Sequence, residues 1–290
     1  MTTFLQGRFQ GMDRHVTGFA ALDGAAFPPF RRGEVWLAGA GPGAPGLLTL
    51  LAYHALQSCD VVVFDALVNP AIVAWARPEA ERISAGKRGG NPGSARQRDI
   101  TGRLIELAGK GLRVLRLKGG DPYLYGRGAE EARALVDAGV SFRVIPGIPA
   151  GIGGLAYAGI PATNKEVNSS LLFITGHDRH GQTPSDADWE AIARAGEVIV
   201  LYMALRKARE IAARLLAAGR SACDPVTFVS CATLPGQQVR ETTLAAVARG
   251  DFDAGCITGP ALVIAGKAGI WRRELDWFSA MIRRGEADLG

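Results

Sequence analysis

The chain has 290 residues, of which 48% are hydrophobic, and it carries a formal net charge of +5. This length is enough for two medium domains or one large one, with ample apolar material for a core. No run of 18 or more apolar residues occurs, and charged residues interrupt the apolar patches near the N-terminus, so we expect neither a membrane-spanning helix nor a secretory signal.

The four cysteines, at positions 59, 223, 231 and 256, form no CxxC pair. Structural zinc sites need more closely clustered ligands than these. The pattern favours reduced thiols in a cytoplasmic protein, and it predicts no metal site.

Short apolar runs alternate with helix-like spacing through the first half of the chain, after an extension at residues 1–32 that we expect to be loosely ordered. The predicted strands are 34–39, 61–65, 81–84, 112–117 and 141–145, and the predicted helices are 46–58, 70–76, 95–109 and 128–138. Such alternation predicts a parallel sheet with helices on its faces.

The alternation pauses in a stretch rich in glycine and proline at 146–154, and it resumes after residue 161. The predicted strands there are 170–175, 197–202, 225–230 and 261–265, and the predicted helices are 188–194, 207–218 and 242–248. The pause is typical of a hinge between two α/β domains, which we place at 33–150 and 151–280, with a tail at 281–290. Because ligands bind at the carboxyl ends of such strands, we expect a cofactor in the cleft between the domains.

Two glycine-rich turns follow predicted strands in the first half: GAGPGAPG at 39–46 and LKGGDP at 117–122. Glycine lets other atoms approach the main chain closely. Between the two turns, the apolar run VVVFD ends in Asp65, a carboxylate at a strand end. Two such loops with an acid between them are typical of a site for a nucleotide-like cofactor.

A nicotinamide-dependent oxidoreductase is one interpretation of this pattern. Residues 41–46 read GxGxxG, and Asp65 lies 19 residues further on, where a ribose-binding acid belongs. However, Pro42 and Pro45 remove N–H donors that a pyrophosphate would use, and the second loop has no role in that fingerprint. A P-loop is excluded because no GxxxxGK[ST] motif occurs.

Positive charge is concentrated at residues 60–127, which hold twelve Lys or Arg and seven Asp or Glu. This local excess equals the whole net charge, and it favours an anionic partner. Since no basic stretch is interleaved with aromatic residues and no nucleic-acid motif appears, a polycarboxylate is a better candidate than nucleic acid.

A longer series of motifs runs from about residue 33 to about residue 278: GAGPG with LLTL, DALV, GKRGG, RLKGGDP with YGRG, PGI, AYAGIP, TGHD and YMAL. In this order and spacing the series resembles the tetrapyrrole methyltransferases. The DALV and GKRGG segments point to those members that methylate uroporphyrinogen III. The resemblance implies a class III methyltransferase-like fold, in which two α/β domains hold S-adenosylmethionine in the cleft between them.

The resemblance also implies a reaction and a set of partners. Methyl groups would pass from S-adenosylmethionine to C2 and C7 of uroporphyrinogen III, giving precorrin-2. The eight carboxylates of this substrate suit the basic stretch at 60–127. A homodimer is implied, with neither nucleic acid nor membrane as a partner.

By matched position, the resemblance makes Asp65 of FDALV the proton acceptor and Lys87 of GKRGG the proton donor. Judged from the residues alone, Asp65 is also a candidate helix N-cap and Lys87 a solvated lysine. Arg127 and Arg206 are expected to bind substrate, since a planar guanidinium suits carboxylates. The residues implied for the cofactor are Pro42, Gly119, Gly120, Asp121, Leu124, Pro149, Ala150, Met203 and Ala232.

Two of these cofactor residues have structural alternatives that the sequence leaves open. Asp121 precedes Pro122, where a turn aspartate is common. Met203 also suits ordinary filling of a hydrophobic core.

The chain departs from the family's usual pattern at several positions. Three of them lie near these motifs: Ala44 stands where an aspartate is usual, Pro149 where a threonine is usual, and Asn164 where a histidine is usual. These departures keep open a methyltransferase acting on a later precorrin and a tetrapyrrole-binding paralogue without catalysis. The nicotinamide oxidoreductase also stays open, because of the GxGxxG pattern.

Overall fold

The computed structural model describes residues 27–85, 97–177, 182–184 and 187–285. Most of the predicted N-terminal extension, the GKRGG segment with Lys87, and the last five residues of the predicted tail lie outside the described residues.

The first half of the chain forms a five-stranded sheet in the order β3-β2-β4-β1-β5, and all four strand pairs are parallel. Its strands are β1 Val35–Gly39, β2 Val61–Phe64, β3 Glu81–Ser84, β4 Val114–Lys118 and β5 Phe142–Ile145. The helices are α1 Leu50–Ser58, α2 Pro70–Ala74, α3 Gln97–Gly109 and α4 Gly128–Asp137.

Apolar clusters cover both faces of this sheet. One contains Trp36, Val62 and Leu115, and the other contains Leu37, Val63 and Val114, so side chains alternate between two cores along each strand. Burial on both faces explains why these strands read as continuous apolar runs. The strands predicted in this half are confirmed to within two residues at each end.

The start of the first helix differs from the prediction. Pro45–Leu47 form a 3₁₀ turn, and α1 begins only at Leu50. Thr49 is the N-cap, because its hydroxyl accepts a hydrogen bond from the N–H of Ala52 at 3.3 Å. The glycine-rich loop therefore does not run directly into a helix.

The second half forms another five-stranded sheet, in the order β6-β7-β10-β8-β9. Its strands are β6 Leu171–Thr175, β7 Val198–Tyr202, β8 Pro225–Ser230, β9 Gln238–Thr243 and β10 Ala261–Gly266. Helices α6 Trp189–Ala195, α7 Ala208–Ala217 and α8 Leu244–Arg249 lie in this half, followed by α9 Arg272–Leu275 and α10 Trp277–Arg283. Only β6 and β7 pair in parallel, so the alternation of strands and helices does not make a parallel sheet here as it does in the first half.

The predicted hinge contains a helix, α5 Ala150–Tyr157, that the sequence did not indicate. Its sequence AGIGGLAY has three glycines, and glycine has low helix propensity. The three glycines are buried, and a Cβ atom added to any of them would lie within 3 Å of another side chain. The neighbouring atoms are Tyr202 Oη at Gly151, Pro42 Cγ at Gly153 and Ala232 Cβ at Gly154. These glycines are therefore required for close packing between the two halves of the chain.

Candidate functional site

The two glycine-rich loops predicted from the sequence lie side by side and are hydrogen-bonded to each other. The N–H of Gly41 donates to the carbonyl oxygen of Gly120 at 3.2 Å, and the N–H of Gly120 donates to the carbonyl oxygen of Gly41 at 2.8 Å. The N–H of Ala40 also donates to the carbonyl oxygen of Lys118, at 2.7 Å. The loops follow β1 and β4, which are neighbours in the sheet, so both lie at its carboxyl edge.

A third segment, the end of β5, crosses this pair of loops. A Cβ atom added to Gly147 would lie 2.2 Å from the carbonyl oxygen of Gly120, and one added to Gly39 would lie 2.4 Å from the same atom. Real Cβ atoms do not approach backbone this closely, so only glycine fits at these two positions. Three backbones thus meet beneath the predicted cofactor site.

Asp121 joins the GGDP loop to this crossing. Its Oδ1 accepts the N–H of Tyr123 at 2.8 Å, and its Oδ2 accepts the N–H of Gly147 at 3.0 Å. The first bond is that of a turn aspartate, which was the structural alternative for this residue. A role for Asp121 in cofactor binding stays a prediction.

The second half of the chain reaches the first glycine-rich loop through residues 231–234. The N–H of Ala44 donates to Oγ1 of Thr233 at 2.9 Å, and a Cβ atom added to Gly43 would lie 3.0 Å from the carbonyl oxygen of Ala232. The side chain of Asn69 donates to the carbonyl oxygen of Gly43 at 2.9 Å. The first glycine-rich loop therefore contacts both Asn69 of its own half and residues 232–233 of the second half.

Two tyrosines face each other across the same junction. The rings of Tyr125 and Tyr202 are 5.0 Å apart, and the hydroxyl of Tyr202 accepts the N–H of Gly151 at 2.7 Å. Burial raises the pKa of Tyr202 to about 12, and burial also raises the pKa of Tyr125 above its ordinary value. Both hydroxyls therefore keep their protons at ordinary pH and can donate hydrogen bonds.

Several residues around this junction adopt a backbone conformation that L-residues rarely take. Five described residues other than glycine have φ between 47° and 68°: Tyr125, Arg127, Met203, Cys231 and Thr233. Each such residue costs on the order of 1–3 kcal/mol, and such strain tends to cluster at functional sites. All five lie in the loops that surround the junction, which supports this region as the binding site.

Asp65 follows β2 at the same carboxyl edge and is one-third exposed. Its Oδ1 lies 2.5 Å from Nη2 of Arg116, and its Oδ2 lies 3.7 Å from Nζ of Lys118. These two cations are almost completely buried on β4, and both also contact Oε1 of Glu131, at 3.1 Å each. We name Asp65, Arg116, Lys118 and Glu131 the charge cluster.

The sequence analysis missed three of the four members of the charge cluster. A signal was present, because Arg116 and Lys118 stand two residues apart in a strand whose other residues are apolar. Alternation places such residues on one face of the strand, and buried charges need partners. Glu131, fully buried on α4, supplies that partner. Burial and the neighbouring Arg116 together lower the pKa of Lys118 from its ordinary value.

The basic stretch at 60–127 is less positive than its composition indicated. Of the nine Lys or Arg that the structure describes in this stretch, seven form ion pairs with acidic side chains. Lys87, Arg88 and Arg96 lie outside the described residues. Glu130 and Glu131, just beyond the stretch, are among the acidic partners, and counting them lowers the excess from +5 to +3.

The two arginines predicted to bind substrate lie in different places. Arg127 is exposed at the start of α4, and its Nη2 lies 2.5 Å from Oε2 of Glu130. Arg206 is also exposed, but it lines a separate pocket of about 390 Å³ with Ala208, Val247 and Phe252. The pKa of Arg127 is raised by its hydrogen bond to Glu130 and, to a smaller extent, by the charge of Glu131, so Arg127 lies near the charge cluster.

The predicted cofactor residues surround α5 and the two glycine-rich loops. Pro42 packs against Gly153 of α5, Ala232 packs against Gly154, and a Cβ atom added to Gly120 would lie 3.7 Å from Cα of Pro149. The others adjoin these contacts: Gly119 and Leu124 in the GGDP segment, Ala150 at the first position of α5, and Met203 directly after Tyr202. Met203 is almost half exposed, which argues against simple core filling.

The three departures from the family pattern have local explanations. Ala44 is buried, and its N–H is bonded to Thr233. Pro149 is the N-cap of α5 and provides no side-chain hydrogen bond there, so the hydroxyl of the usual threonine is lost. Asn164 forms its own turn, since its Oδ1 accepts the N–H of Glu166 at 2.9 Å.

The structure does not favour the nicotinamide interpretation. A dinucleotide fingerprint places the pyrophosphate at the N-terminus of the helix that directly follows the loop. Here the 3₁₀ turn Pro45–Leu47 separates the loop from α1.

Comparison with known proteins agrees with this geometry. Residues 34–248 match the protein family described as Tetrapyrrole (Corrin/Porphyrin) Methylases. A protein named uroporphyrinogen-III C-methyltransferase from Sinorhizobium sp. is 54% identical over 257 residues, which cover 89% of this chain and 91% of that protein. A siroheme synthase from Sodalis glossinidius is 46% identical over 251 residues, 86% of this chain but only 52% of that protein. The chain thus spans about half the length of the siroheme synthases that it matches.

Among solved structures, the fold is similar to that of uroporphyrin-III C-methyl transferase from Thermus thermophilus complexed with S-adenyl homocysteine. The TM-score is 0.70 and the identity 35%, over 81% of this chain and 98% of that chain.

Proposed function

This chain belongs to the tetrapyrrole (corrin/porphyrin) methylase family, and we propose that it methylates uroporphyrinogen III at C2 and C7 to give precorrin-2. The methyl donor is S-adenosylmethionine. The observation that carries the proposal is the position of Asp65, at the strand edge where the two glycine-rich loops meet. The proposal is supported by the relative from Sinorhizobium sp. that is named uroporphyrinogen-III C-methyltransferase and is 54% identical over 91% of its length.

The residues present fit S-adenosylmethionine. The crossing at Gly39, Gly120 and Gly147 leaves no room for a Cβ atom at Gly39 or Gly147, so main chain without side chains occupies this part of the junction. Backbone donors and acceptors suit the amino, carboxyl and ribose groups of such a ligand. Pro42, Gly119, Gly120, Asp121, Leu124, Pro149, Ala150, Met203 and Ala232 are the residues that we propose hold it.

The sulfonium of S-adenosylmethionine supplies a methyl group that is already activated. What remains for the protein is to align substrate and donor and to handle a proton. The one-third exposed carboxylate of Asp65 is held in a fixed orientation by two buried cations. We assign Asp65 as the proton acceptor. Lys87 remains the proposed proton donor.

The surface around Asp65 suits an apolar macrocycle with carboxylates at its rim. Leu67 and Tyr123 are more than half exposed, and Leu67 lies against Gly119. Exposed apolar side chains at a cleft are typical of ligand-binding surfaces. Arg127 would exchange Glu130 for a carboxylate of the substrate, and Arg206, on a separate pocket, is the weaker substrate contact.

The same proposal extends to cellular context. We propose a cytoplasmic homodimer, in which the four cysteines stay reduced. All four are free thiols in this structure. No helix in the described parts of the chain is long and apolar enough to cross a lipid bilayer.

An anaerobic assay with S-adenosylmethionine and enzymatically made uroporphyrinogen III tests the proposal. We expect the wild type to give the oxidised precorrin-2 chromophore. Asp65→Asn should lower kcat by about 10²–10⁴-fold, since it removes a positioned proton acceptor. Asp137→Asn, which removes an exposed carboxylate from α4, is the matched control and should leave the rate unchanged.

Two outcomes contradict the proposal in different ways. If the wild type binds S-adenosylhomocysteine in calorimetry but forms no product, the substrate is a later precorrin. If neither binding nor product is seen, the departures at Ala44 and Pro149 have disabled the site and the chain is a binding protein.

A further inference from the structure

The charge cluster contains two cations and two carboxylates, and only one of the carboxylates reaches the site. Arg116 uses its Nη2 for Asp65 and its Nε for Glu131, and Lys118 lies between the same two acids. Both cations therefore bridge an exposed carboxylate to a buried one. With all four groups ionised the charges sum to zero.

This arrangement is unusual for a base. Two cations in contact with a carboxylate favour its ionised form and so reduce its tendency to take up a proton. If Asp65 faced Arg116 and Lys118 alone, accepting a proton would leave two uncompensated charges in a buried position. Such a state is costly, because burying an unpaired charge is unfavourable.

We infer that Glu131 is a positioning residue for the proposed reaction, whose negative charge offsets Arg116 and Lys118 and so preserves the ability of Asp65 to accept a proton. The inference rests on the proposed function for the role of Asp65 and for the identity of the substrate. In the proton step, a C–H bond of a methylene bridge next to the methylated ring breaks and an O–H bond forms on Asp65. The bonding electron pair stays on the ring and cancels its positive charge.

The contacts of Glu131 support this role over a purely structural one. A single oxygen, Oε1, accepts from both cations at 3.1 Å, so Glu131 contacts the same two side chains that hold Asp65. The pKa of Lys118 is lowered chiefly by burial, so its charge depends on nearby acids. Other charged groups at this end of α4 are Glu130 and Arg127, which pair with each other. Lys87 lies outside the described residues.

Opposite changes in charge give opposite predictions. Glu131→Gln removes a negative charge, so Asp65 should hold its proton less well. The acidic limb of the pH–rate profile for kcat should then move to lower pH, by on the order of one pH unit, and the maximal rate should fall. Lys118→Met removes a positive charge, so the limb should move to higher pH. The double variant restores the balance and should lie near the wild type.

Asp137→Asn is again the matched control, because it removes a carboxylate from the same helix at an exposed position. This variant should leave the acidic limb of the pH–rate profile where it is in the wild type. If Glu131→Gln does not fold, as a thermal melt would show, Lys118→Met still tests the sign of the effect.

A second readout does not depend on the substrate. Labelling aspartate side chains with ¹³C, and assigning Asp65 with Asp65→Asn, gives the titration midpoint of this carboxylate directly. Opposed shifts in Glu131→Gln and Lys118→Met, without methylation of uroporphyrinogen III, would uphold this inference while the proposed function fails. Methylation with shifts that are absent, or in the same direction in both variants, would overturn the inference and leave the function standing.

Discussion

The two sheets of this protein bury different kinds of residue. Among the described residues, the fully buried charged side chains are Arg116, Lys118 and Glu131, and all three belong to the first sheet and its helices. The second sheet, β6 to β10, buries mainly apolar side chains such as Ile199, Phe228 and Val263. Both sheets have five strands, yet among the described residues only the first buries charged side chains completely.

The two sheets also differ in strand direction. In a parallel sheet the strand ends and their loops meet at one edge, so β1, β2, β4 and β5 bring their loops together. In the second sheet β6, β7 and β8 share one direction, whereas β9 and β10 run the opposite way. The loops 203–204 and 231–234 follow β7 and β8 at their shared carboxyl edge, but neither loop contains a charged residue. We conclude that the first sheet carries the chemistry and that the second completes the shape of the cleft.

Among the variants that test this comparison, the largest loss of ligand binding is expected at the backbone crossing of Gly39, Gly120 and Gly147. In Gly147→Ala the new Cβ would lie 2.2 Å from the carbonyl oxygen of Gly120, so the GGDP loop must move. We expect loss of measurable S-adenosylhomocysteine binding and a lower melting temperature. Gly102→Ala is the control, because it lies in α3 with no atom near its added Cβ, and it should stabilise the fold by about 0.5–1 kcal/mol. Equal binding by both variants would show that the crossing does not shape the site.

The crossing also shows what the sequence could and could not reveal. The glycine motifs predicted that two loops would meet near Asp65, because strand order and strand ends follow from local patterns. That Gly147 must be glycine depends on a contact with Gly120, which is distant in sequence. The helix α5 was missed for the same reason, since tertiary packing overrides its low propensity.

The charge cluster was missed for a different physical reason. A sequence indicates that a charge lies in a strand, but not which acid from another element will neutralise it. Glu131 lies in the amphipathic pattern of α4, where an acid is usually solvated. The charge count at 60–127 was misleading for a similar reason, since Glu130 and Glu131, just beyond the stretch, pair with its cations.

The next largest effect is expected from replacing either of two arginines that are little exposed, one in each half of the chain. Arg116 belongs to the charge cluster, whereas Arg220 in the second half is 11% exposed and pairs with Asp224 at 2.6 Å. Removing one partner of a buried pair costs about 3–5 kcal/mol, so Arg116→Met and Arg220→Met should both lower stability in urea unfolding. Only Arg116→Met should lower kcat of the folded fraction. A similar loss of kcat in Arg220→Met would mean that stability alone explains both.

A smaller effect, on ligand binding, is expected from changing Tyr202, which β7 of the second sheet contributes to the cleft. Tyr202→Phe removes the hydroxyl that accepts the N–H of Gly151 at 2.7 Å. Loss of one such bond is worth about 0.5–1.5 kcal/mol, so calorimetry should show several-fold weaker binding of S-adenosylhomocysteine. Because the pKa of Tyr202 is about 12, the pH–rate profile between pH 6 and 9 should keep its shape. A displaced profile would show that the second sheet also takes part in proton transfer.

The smallest effect on catalysis is expected at the opposite end of the first sheet, where an ion pair serves stability alone. Asp60, just before β2, accepts the N–H and Nε of Arg113 at 2.8 and 3.0 Å and also pairs with Arg77. The hydrogen bonds from Arg113 lower the pKa of Asp60 from 3.8 to about 2.

A lowered pKa means that the unfolded chain binds this proton more readily. The stabilisation is therefore complete above about pH 4 and is lost as the pH falls toward 2. We expect Asp60→Asn to cost about 1–2 kcal/mol at pH 7, and this difference from the wild type should shrink in urea unfolding between pH 4 and pH 2. Methyl transfer should not change, because Asp60 lies at the amino end of β2 while Asp65 follows its carboxyl end. A constant difference across this pH range would mean that the shape of the side chain, rather than its charge, stabilises that end of the sheet.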